Sequence, residues 1–530
     1  MDTSIMLHLL WFSSAILVYA EYCYLWQLKW YRFDRFRDFL STKQGRAVLK
    51  NPYVLCRTAI ILVLLLFRSE LNIIHSIAGI IFFADIVYIV YRKFQGVYRR
   101  PVLSIKAVGI VVIAIFIEYL SFLFTQEWTV VLTLSVLRLY IMSLIVIGMD
   151  MITGQIKKIY FFFAKKKLAQ YPHMIKIGIT GSYGKTSVKE LLTQILSHSF
   201  QVVSTPKNVN SDIGIAQFIL STDFSKIEIC IVEMGAYNVG DIALSCDIVK
   251  PQISILTAIN AQHLSLFGSI ENTQRAKFEI LQAIPKTGLG ITNADSPLCM
   301  EHVHTLDSNI ATFGFEEDNK PNCLIQSVEI KKDKTFDATY SLDFQDKKET
   351  FTVNTSLVGE HQASNLAPCI LVATHLGMKT SEIINAIARI KNPTHAFNIF
   401  QYGQATIIDD SYNSNPDGFK SALNILAKFS SAKKKIVITR GMHELGSMSD
   451  DLHERIGNEI SFVADELVLI TPDFVNPICK GILEKYHTKI YKIFDTNDLI
   501  HHITKFKDLD VVILIENRVP PAVHQLLHNK

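Results

Sequence analysis

The densest chemistry in the sequence lies in Gly178-Ile179-Thr180-Gly181-Ser182-Tyr183-Gly184-Lys185-Thr186-Ser187. This stretch follows an apolar run from Ile175 and leads into an amphipathic run through Ile195, so strand, glycine turn and helix start succeed one another. Such a succession aims backbone N–H groups and a helix N-terminus at one point, where phosphate oxygens are held. Lys185 is placed to reach the β- and γ-phosphates of ATP, and Thr186 to offer its hydroxyl to Mg2+. Gly181, Gly184 and Ser187 belong to the same cofactor-binding loop. The usual phosphate loop has four residues between its first glycine and Gly-Lys-Thr, whereas Gly178 to Gly184 leaves five, so the working core is Gly181-x-x-Gly184-Lys185-Thr186. The same glycines would also serve an ordinary strand-to-helix turn.

Groups of this kind need a rigid sheet beneath them. From Met174 onward β-branched runs alternate with helical patterns, and 175–179, 227–232, 253–256 and 288–291 read as buried strands. That predicts an α/β fold with a mostly parallel sheet. Glu233 follows the second of these runs and stands at a strand end, where an Mg2+-binding carboxylate belongs. The polar, turn-rich stretch 313–352 predicts small antiparallel strands added to this domain. A second α/β unit begins near Asn398, with strands around 405–408, 435–439, 466–470 and 511–515, and 391–397 reads as a hinge.

The first part of the chain is built differently. Of the 530 residues 49% are hydrophobic, mean hydropathy is +0.24, and the apolar excess lies before residue 150. Apolar runs of about spanning length cover 6–26, 53–67, 71–91, 102–124 and 128–149, which predicts five α-helical membrane spans; the first lacks the cleavage site of a removable signal peptide. Lysines and arginines crowd 29–50, 92–100 and 157–167. By the positive-inside rule this predicts a multi-pass inner-membrane protein with its N-terminus outside and everything after Met149 in the cytoplasm, where ATP is found. His75, Asp85, Glu118 and Arg138 fall within the spans. Ionisable groups at that depth either serve function or hold the bundle together as an acid–arginine pair. Residues 151–173 read as a basic amphipathic connector lying on membrane lipid, with Tyr160, Phe161, Phe162 and Phe163 beside lysines, or as a solvated linker helix. The net charge of +4, with basic residues beside apolar runs, excludes nucleic acid as a partner. Eight scattered cysteines form no CxxC pair, which argues against a zinc site or disulfide framework and for a reducing compartment.

Further motifs follow the phosphate loop in a definite order. They are Thr205-Pro206-Lys207-Asn208-Val209-Asn210-Ser211, Val232-Glu233-Met234-Gly235-Ala236, Asn260-Ala261-Gln262-His263, Ala276-Lys277-Phe278-Glu279, Asn293-Ala294-Asp295 and Gly359-Glu360-His361-Gln362-Ala363-Ser364-Asn365. Then come Asp409-Asp410-Ser411-Tyr412-Asn413-Ser414-Asn415-Pro416 and Met442-His443-Glu444-Leu445-Gly446, with His453 beyond. Over 174–530 this series resembles the ATP-dependent Mur ligases of peptidoglycan synthesis, and the last two stretches are similar to the MurF branch, which adds D-Ala-D-Ala to a UDP-linked tripeptide.

After the five-span region (1–150) and the linker (151–173), the resemblance implies a central ATP-binding domain (174–396) and a C-terminal Rossmann-like domain that closes over it (397–530). It implies an ATP-dependent acid–amino-acid ligase, in which an acceptor carboxylate attacks the γ-phosphate and an amine displaces phosphate from the acyl-phosphate. Lys185 and the loop amides would hold the phosphates while Thr186 and Glu233 bind one Mg2+. His263 would bind a second Mg2+, with Lys277 carbamylated to supply that metal a carboxylate. Asn293 and Asn365 would lie on the adenine side, and Asp410, Tyr412 and Asn413 would come from the closing domain, Asp410 being counted among the catalytic residues. Asn208, Asn210 and Asn415 would face substrate. His361, His443 and His453 read as structural or peripheral. The implied partners are a UDP- or lipid-linked cell-wall precursor, an amino-acid or dipeptide amine, and other envelope-synthesis proteins.

The sequence departs from the family pattern in three places. Membrane spans replace the soluble domain that grips the UDP-sugar, which makes a lipid-linked acceptor attractive. The usual hinge Gly-Arg reads Ala396-Phe397. Leu-Gly-Asp-Met reads Thr439-Arg440-Gly441-Met442, and Lys-Gly-Ser reads Glu516-Asn517-Arg518, leaving Arg440 or Arg518 to replace the lost positive charge. Two other readings remain at this stage: an amide ligase for another envelope polymer or small carboxylate, and a membrane export component whose ATPase half drives the spans.

Overall fold

The computed structural model describes residues 3–41, 43–66, 71–95, 98–260, 264–331, 335–357, 359–392, 398–411, 414–429, 433–443 and 445–528. The chain divides into two compact units, Met1–Ile159 and Tyr160–Lys530.

The first unit is helical. Among the described residues five helices are long and apolar enough to cross a membrane: Ser4–Leu28, Gly45–Leu64, Ile73–Phe94, Ile105–Thr125 and Arg138–Leu168. The expected fifth span, 128–149, is broken at Leu137, leaving a short helix Trp128–Val136 and starting a new one at Arg138. Nine residues of helix rise only about 14 Å, less than half a bilayer core, so the long apolar helix is the one that begins at Arg138. That helix runs without interruption to Leu168 and contains most of the expected connector.

The break puts Arg138 in a polar cluster wholly buried among apolar helices. Its Nε and one terminal nitrogen donate to the two Glu118 oxygens at 2.9 and 3.0 Å, and the other donates to Ser14 Oγ at 2.8 Å. Trp11 and Tyr19 also donate to Glu118, both at 2.7 Å, while Ser14 and Tyr53 donate to Asp85 at 2.7 and 2.8 Å. Arg57 lies 3.3 Å from Asp85, which balances two acids with two arginines. An uncompensated buried charge is far costlier than a paired one. Arg138→Ala should therefore destabilise the helical unit by about 3–5 kcal/mol. The expected readout is a lower thermal midpoint in detergent, largely restored when Glu118→Gln is added.

The second unit is the predicted α/β fold. β1 (Ile175–Thr180), β2 (Val202–Ser204), β3 (Ile229–Glu233), β4 (Ile253–Leu256), β5 (Leu289–Asn293), β6 (Asn309–Gly314), β7 (Cys323–Ile330), β8 (Phe336–Phe344) and β9 (Lys347–Thr355) form one sheet in the order β2-β3-β1-β4-β5-β6-β7-β8-β9. Pairing is parallel up to β7 and antiparallel from β7 to β9, which is the expected decoration. Ile177 and Ile179 face one apolar layer with the helices Lys185–Leu196 and Glu360–His375. Cys230 and Val232 face the other, with Phe278, Ile280 and Leu281 of the helix Ile270–Gln282. Phe161, Ala164 and Leu168 join this second layer. Lys167 donates to the Leu220 and Thr222 carbonyls at 2.8 and 2.6 Å, and Lys165 pairs with Asp247. The end of the basic connector is therefore packed onto the α/β unit through one apolar face and two of its lysines.

A second sheet holds β10 (Asn398–Tyr402), β11 (Ala405–Asp410), β12 (Lys434–Thr439), β13 (Glu466–Leu469), β14 (Lys489–Lys492) and β15 (Val511–Glu516), in the order β10-β11-β15-β12-β13-β14. Among the described residues of this sheet only β10 pairs antiparallel. Apolar layers cover both faces, as continuous β-branched strands require.

Candidate active site

β1 ends in the phosphate loop, beside the point where the chain crosses from the β3 side of the sheet to β4, the usual position for ligands in such sheets. Gly181 and Gly184 have φ of +152° and +78°, backbone that a side chain rarely tolerates. A Cβ on Gly181 would collide with the Thr257 hydroxyl, and one on Gly184 would stand 2.9 Å from Asn365 Oδ1. The loop is thus closed by β4 on one side and by the helix Glu360–His375 on the other. Lys185 opens its helix and its ammonium donates to the carbonyls of Gly181 and Ser182 at 2.5 and 3.2 Å. Burial lowers its pKa, partly offset by Glu233.

Glu233, 2% exposed, ends β3 opposite Ile179 of β1. Thr186 Oγ1 donates to its two oxygens at 3.1 and 3.0 Å, and Asn210 Nδ2 donates to one of them at 3.0 Å. Lys189, also buried, lies 3.4 Å away, and the Glu233 amide is held by Thr205. A hydroxyl and a carboxylate converging at the foot of a phosphate loop are the hard oxygen donors that Mg2+ takes, so these residues fit one such ion. Asn210, expected to face substrate, turns its side chain to Glu233. Lys189 was not singled out from the sequence, although a lysine among Val188, Leu191 and Leu192 on the buried stripe of a helix is a visible signal.

Lys277 is buried on the helix Ile270–Gln282, its ammonium 5.8 Å from the centre of the Phe267 ring. Burial and repulsion from Lys185 lower its pKa well below the usual lysine value, against Asp241 and Glu233. A lysine cation placed beside Lys185 does not itself fit a metal site. His263, expected as a ligand of the second ion, lies outside the described residues.

The second sheet turns its carboxyl strand ends toward the first domain. Asn260 follows the loop that carries Thr257 and Ala258; its amide is held by Ser182 Oγ at 3.0 Å, and its Nδ2 donates to Asn415 at 3.3 Å and to Asp417 at 2.8 Å. Asn415, expected to face substrate, also caps the helix Pro416–Ala427 by accepting from Gly418 N–H. His361 meets Ser421 at 3.2 Å across the same boundary, a bridging position rather than a peripheral one. His453 accepts from Met442 N–H and stacks on Phe474, the expected structural part. Asn208 is exposed with φ of +61°, and Asn293 ends β5 and binds Asp295 N–H at 2.9 Å. Asn365 lies against the phosphate loop. Tyr412, Asn413 and the hinge pair Ala396-Phe397 lie outside the described residues.

Asp410 ends β11 and is in register with Glu516 at the end of β15. Ser414 Oγ donates to Glu516 at 2.6 Å. Burial pushes Asp410 up to about 7, with Asp409 adding to the rise. Glu516, completely buried, is raised well above the carboxylate range by burial and then by the nearby Asp410 charge. Burial thus favours the protonated form of both acids. A glutamate ending the run Val511–Ile515 was the available sign of this pair.

A phosphate loop, a magnesium-type carboxylate on the neighbouring strand and a second α/β domain abutting the loop define an ATP-dependent two-domain enzyme class. Residues 179–373 match the Mur ligase middle domain and residues 397–515 the Mur ligase, glutamate ligase domain. The chain belongs to the Mur ligase family. It is 29% identical over 306 residues to a UDP-N-acetylmuramoyl-tripeptide–D-alanyl-D-alanine ligase of Borreliella burgdorferi, covering 57% of this chain and 63% of that one. With the enzyme of the same name from Escherichia coli K12, identity is 27% over 296 residues, 55% of this chain and 63% of the relative. The chain thus spans less than two thirds of the length of these relatives. The solved MurF ligase of Thermotoga maritima in complex with ADP superposes with a TM-score of 0.61 at 25% identity, covering 70% of this chain and 82% of that one. MurF of Acinetobacter baumannii shares the fold, with a TM-score of 0.61 at 22% identity over 70% of this chain and 78% of that one.

The acid pair makes a pH prediction. Both folded pKa values are raised, so the native state holds protons that the unfolded chain releases near pH 4. Their stabilisation is complete below that pH and is lost as pH rises through about 7. The thermal midpoint of the full-length protein should fall between about pH 5 and 8, and Glu516→Gln should flatten that fall.

Proposed function

We propose that this chain is a membrane-anchored, ATP-dependent carboxylate–amine ligase of the MurF type. It joins D-Ala-D-Ala, or a related amine, to the peptide carboxylate of a cell-wall precursor. The observation that carries this reading is the convergence of Thr186 and Glu233 at 3.0–3.1 Å beneath the Lys185 loop, in a chain with both catalytic domains of the Mur ligases. The relative solved with ADP supports ATP as the nucleotide.

In this reading Lys185 and the loop amides bind the phosphates of ATP. Thr186 and Glu233 would hold one Mg2+, and His263 with carbamylated Lys277 a second, and such ions would supply positive charge between two approaching anions. The acceptor carboxylate attacks the γ-phosphorus, ADP leaves, and the resulting acyl-phosphate is attacked by the amine, releasing phosphate and forming the amide. The incoming ammonium must lose a proton first, and Asp410, pushed up to about 7 on the strand end above the loop that meets Asn260, is suited to take it. Asn293 and Asn365 hold the adenine side, while Tyr412 and Asn413 join from the closing domain. The apolar helices anchor the enzyme with its catalytic domains in the cytoplasm, a reading supported by the lysine and arginine pattern. Their place ahead of the ATPase domain favours a lipid-linked acceptor over a UDP-linked one.

Full-length protein in detergent, given ATP, Mg2+, D-Ala-D-Ala and either UDP-linked muramoyl tripeptide or its lipid-linked equivalent, should release phosphate and yield a product of amide mass. The lipid-linked acceptor should be preferred. Lys277→Ala should lower turnover by roughly 100-fold or more, with partial recovery in short carboxylates that restore the missing charge. Full turnover by Lys277→Ala would overturn the carbamate assignment.

A further inference from the structure

We propose that Asp409, His524 and His528 form a divalent transition-metal site of the Zn2+ class on the face of the C-terminal sheet opposite the Asp410–Glu516 pair. Consecutive strand residues point to opposite faces, so Asp410 turns to one layer and Asp409 to the other. The layer on the Asp409 side contains Val523 and Leu527, through which the helix Pro521–His528 packs on the sheet. His524 and His528 are one turn apart on that helix, and one ligand atom from each histidine and from Asp409 lie within 4.8 Å of one another.

Two of the three ligands are already fixed in direction. His528 Nδ1 is 2.9 Å from the His524 carbonyl, which assigns the ring proton to Nδ1 and leaves the Nε2 lone pair for a ligand. A backbone carbonyl orienting an imidazole in this way is the usual outer support of a metal-binding histidine. Nε2 lies 3.7 Å from Asp409 Oδ2, and Phe400 braces the ring at 4.6 Å. The other Asp409 oxygen accepts from Ser411 N–H at 3.0 Å, leaving Oδ2 toward the histidine.

A plain ion pair would use one protonated histidine. It does not account for the His524 ring, stacked on His528 at 4.1 Å and 15°, where two imidazolium rings would repel. A tetrahedral zinc with bonds of about 2.0–2.1 Å spaces its ligand atoms by about 3.4 Å. The histidine–aspartate gap is already close to that value, and a rotamer adjustment of the exposed His524 closes the rest. Two imidazoles and one carboxylate favour Zn2+, Co2+, Ni2+ or Cu2+ over Mg2+, so the site does not duplicate the ATP-linked ion, and its fourth position is left for water. The absence of CxxC pairs bears only on thiolate sites. A bound ion would clamp the last helix to the strand end that carries Asp410.

Full-length protein in detergent, stripped with EDTA and returned to excess Mg2+, is titrated with ZnSO4 by calorimetry and followed by thermal melting. Wild type should bind about one more equivalent of Zn2+ than the His524→Ala/His528→Ala double variant, and Zn2+ should raise its thermal midpoint. His524→Gln alone, at an exposed position, should melt like wild type without Zn2+ and lose at least about tenfold in Zn2+ affinity. Equal Zn2+ stoichiometry and an equal Zn2+-induced shift in wild type and both variants would overturn the site.

Discussion

A carboxylate buried as deeply as Glu233 costs several kcal/mol unless its oxygens are partnered, and the central domain is arranged so that they are. Thr186 comes from the helix after the phosphate loop, Lys189 from one turn further along it, Asn210 from the segment after β2, and Thr205 fixes the amide. The partners are delivered by two connections, the helix after β1 and the segment after β2, and converge only if β1, β3 and β2 pair in the observed parallel register. The pairing of this sheet and the geometry of the site are therefore one constraint.

The molecule meets the same problem differently elsewhere. In the helical unit Arg138 and Arg57 neutralise Glu118 and Asp85, a solution by opposite charge in apolar surroundings. At the strand ends of the second sheet, burial pushes Asp410 and Glu516 toward their protonated forms instead. Arg440, one candidate replacement for the lost charge, keeps a buried Nε without a hydrogen bond among the described residues.

Much of this was readable in the residues. The β-branched runs located β1, β3, β4, β5, β11, β12, β13 and β15 because strands covered on both faces are apolar throughout. The short β2 and the edge strands β10 and β14 lack that signature; β14 is mostly exposed, with Tyr491 alone half-buried. The phosphate loop and Glu233 were legible because their chemistry is local to one turn and one strand end. The Arg138 break was not, since 128–149 is apolar apart from Arg138 itself and only the buried cluster decides where the helix restarts. The Asn260–Asn415 and Asp410–Glu516 contacts join residues more than 100 positions apart, which no local pattern records.

The central claim is that the Lys185–Glu233 site activates a carboxylate by phosphorylating it. The most direct measurement supplies an acceptor whose carboxylate carries 18O and follows the label into phosphate by mass spectrometry. An acyl-phosphate route transfers one carboxylate oxygen to each phosphate released during amide formation. Unlabelled phosphate accompanying the amide product would contradict it.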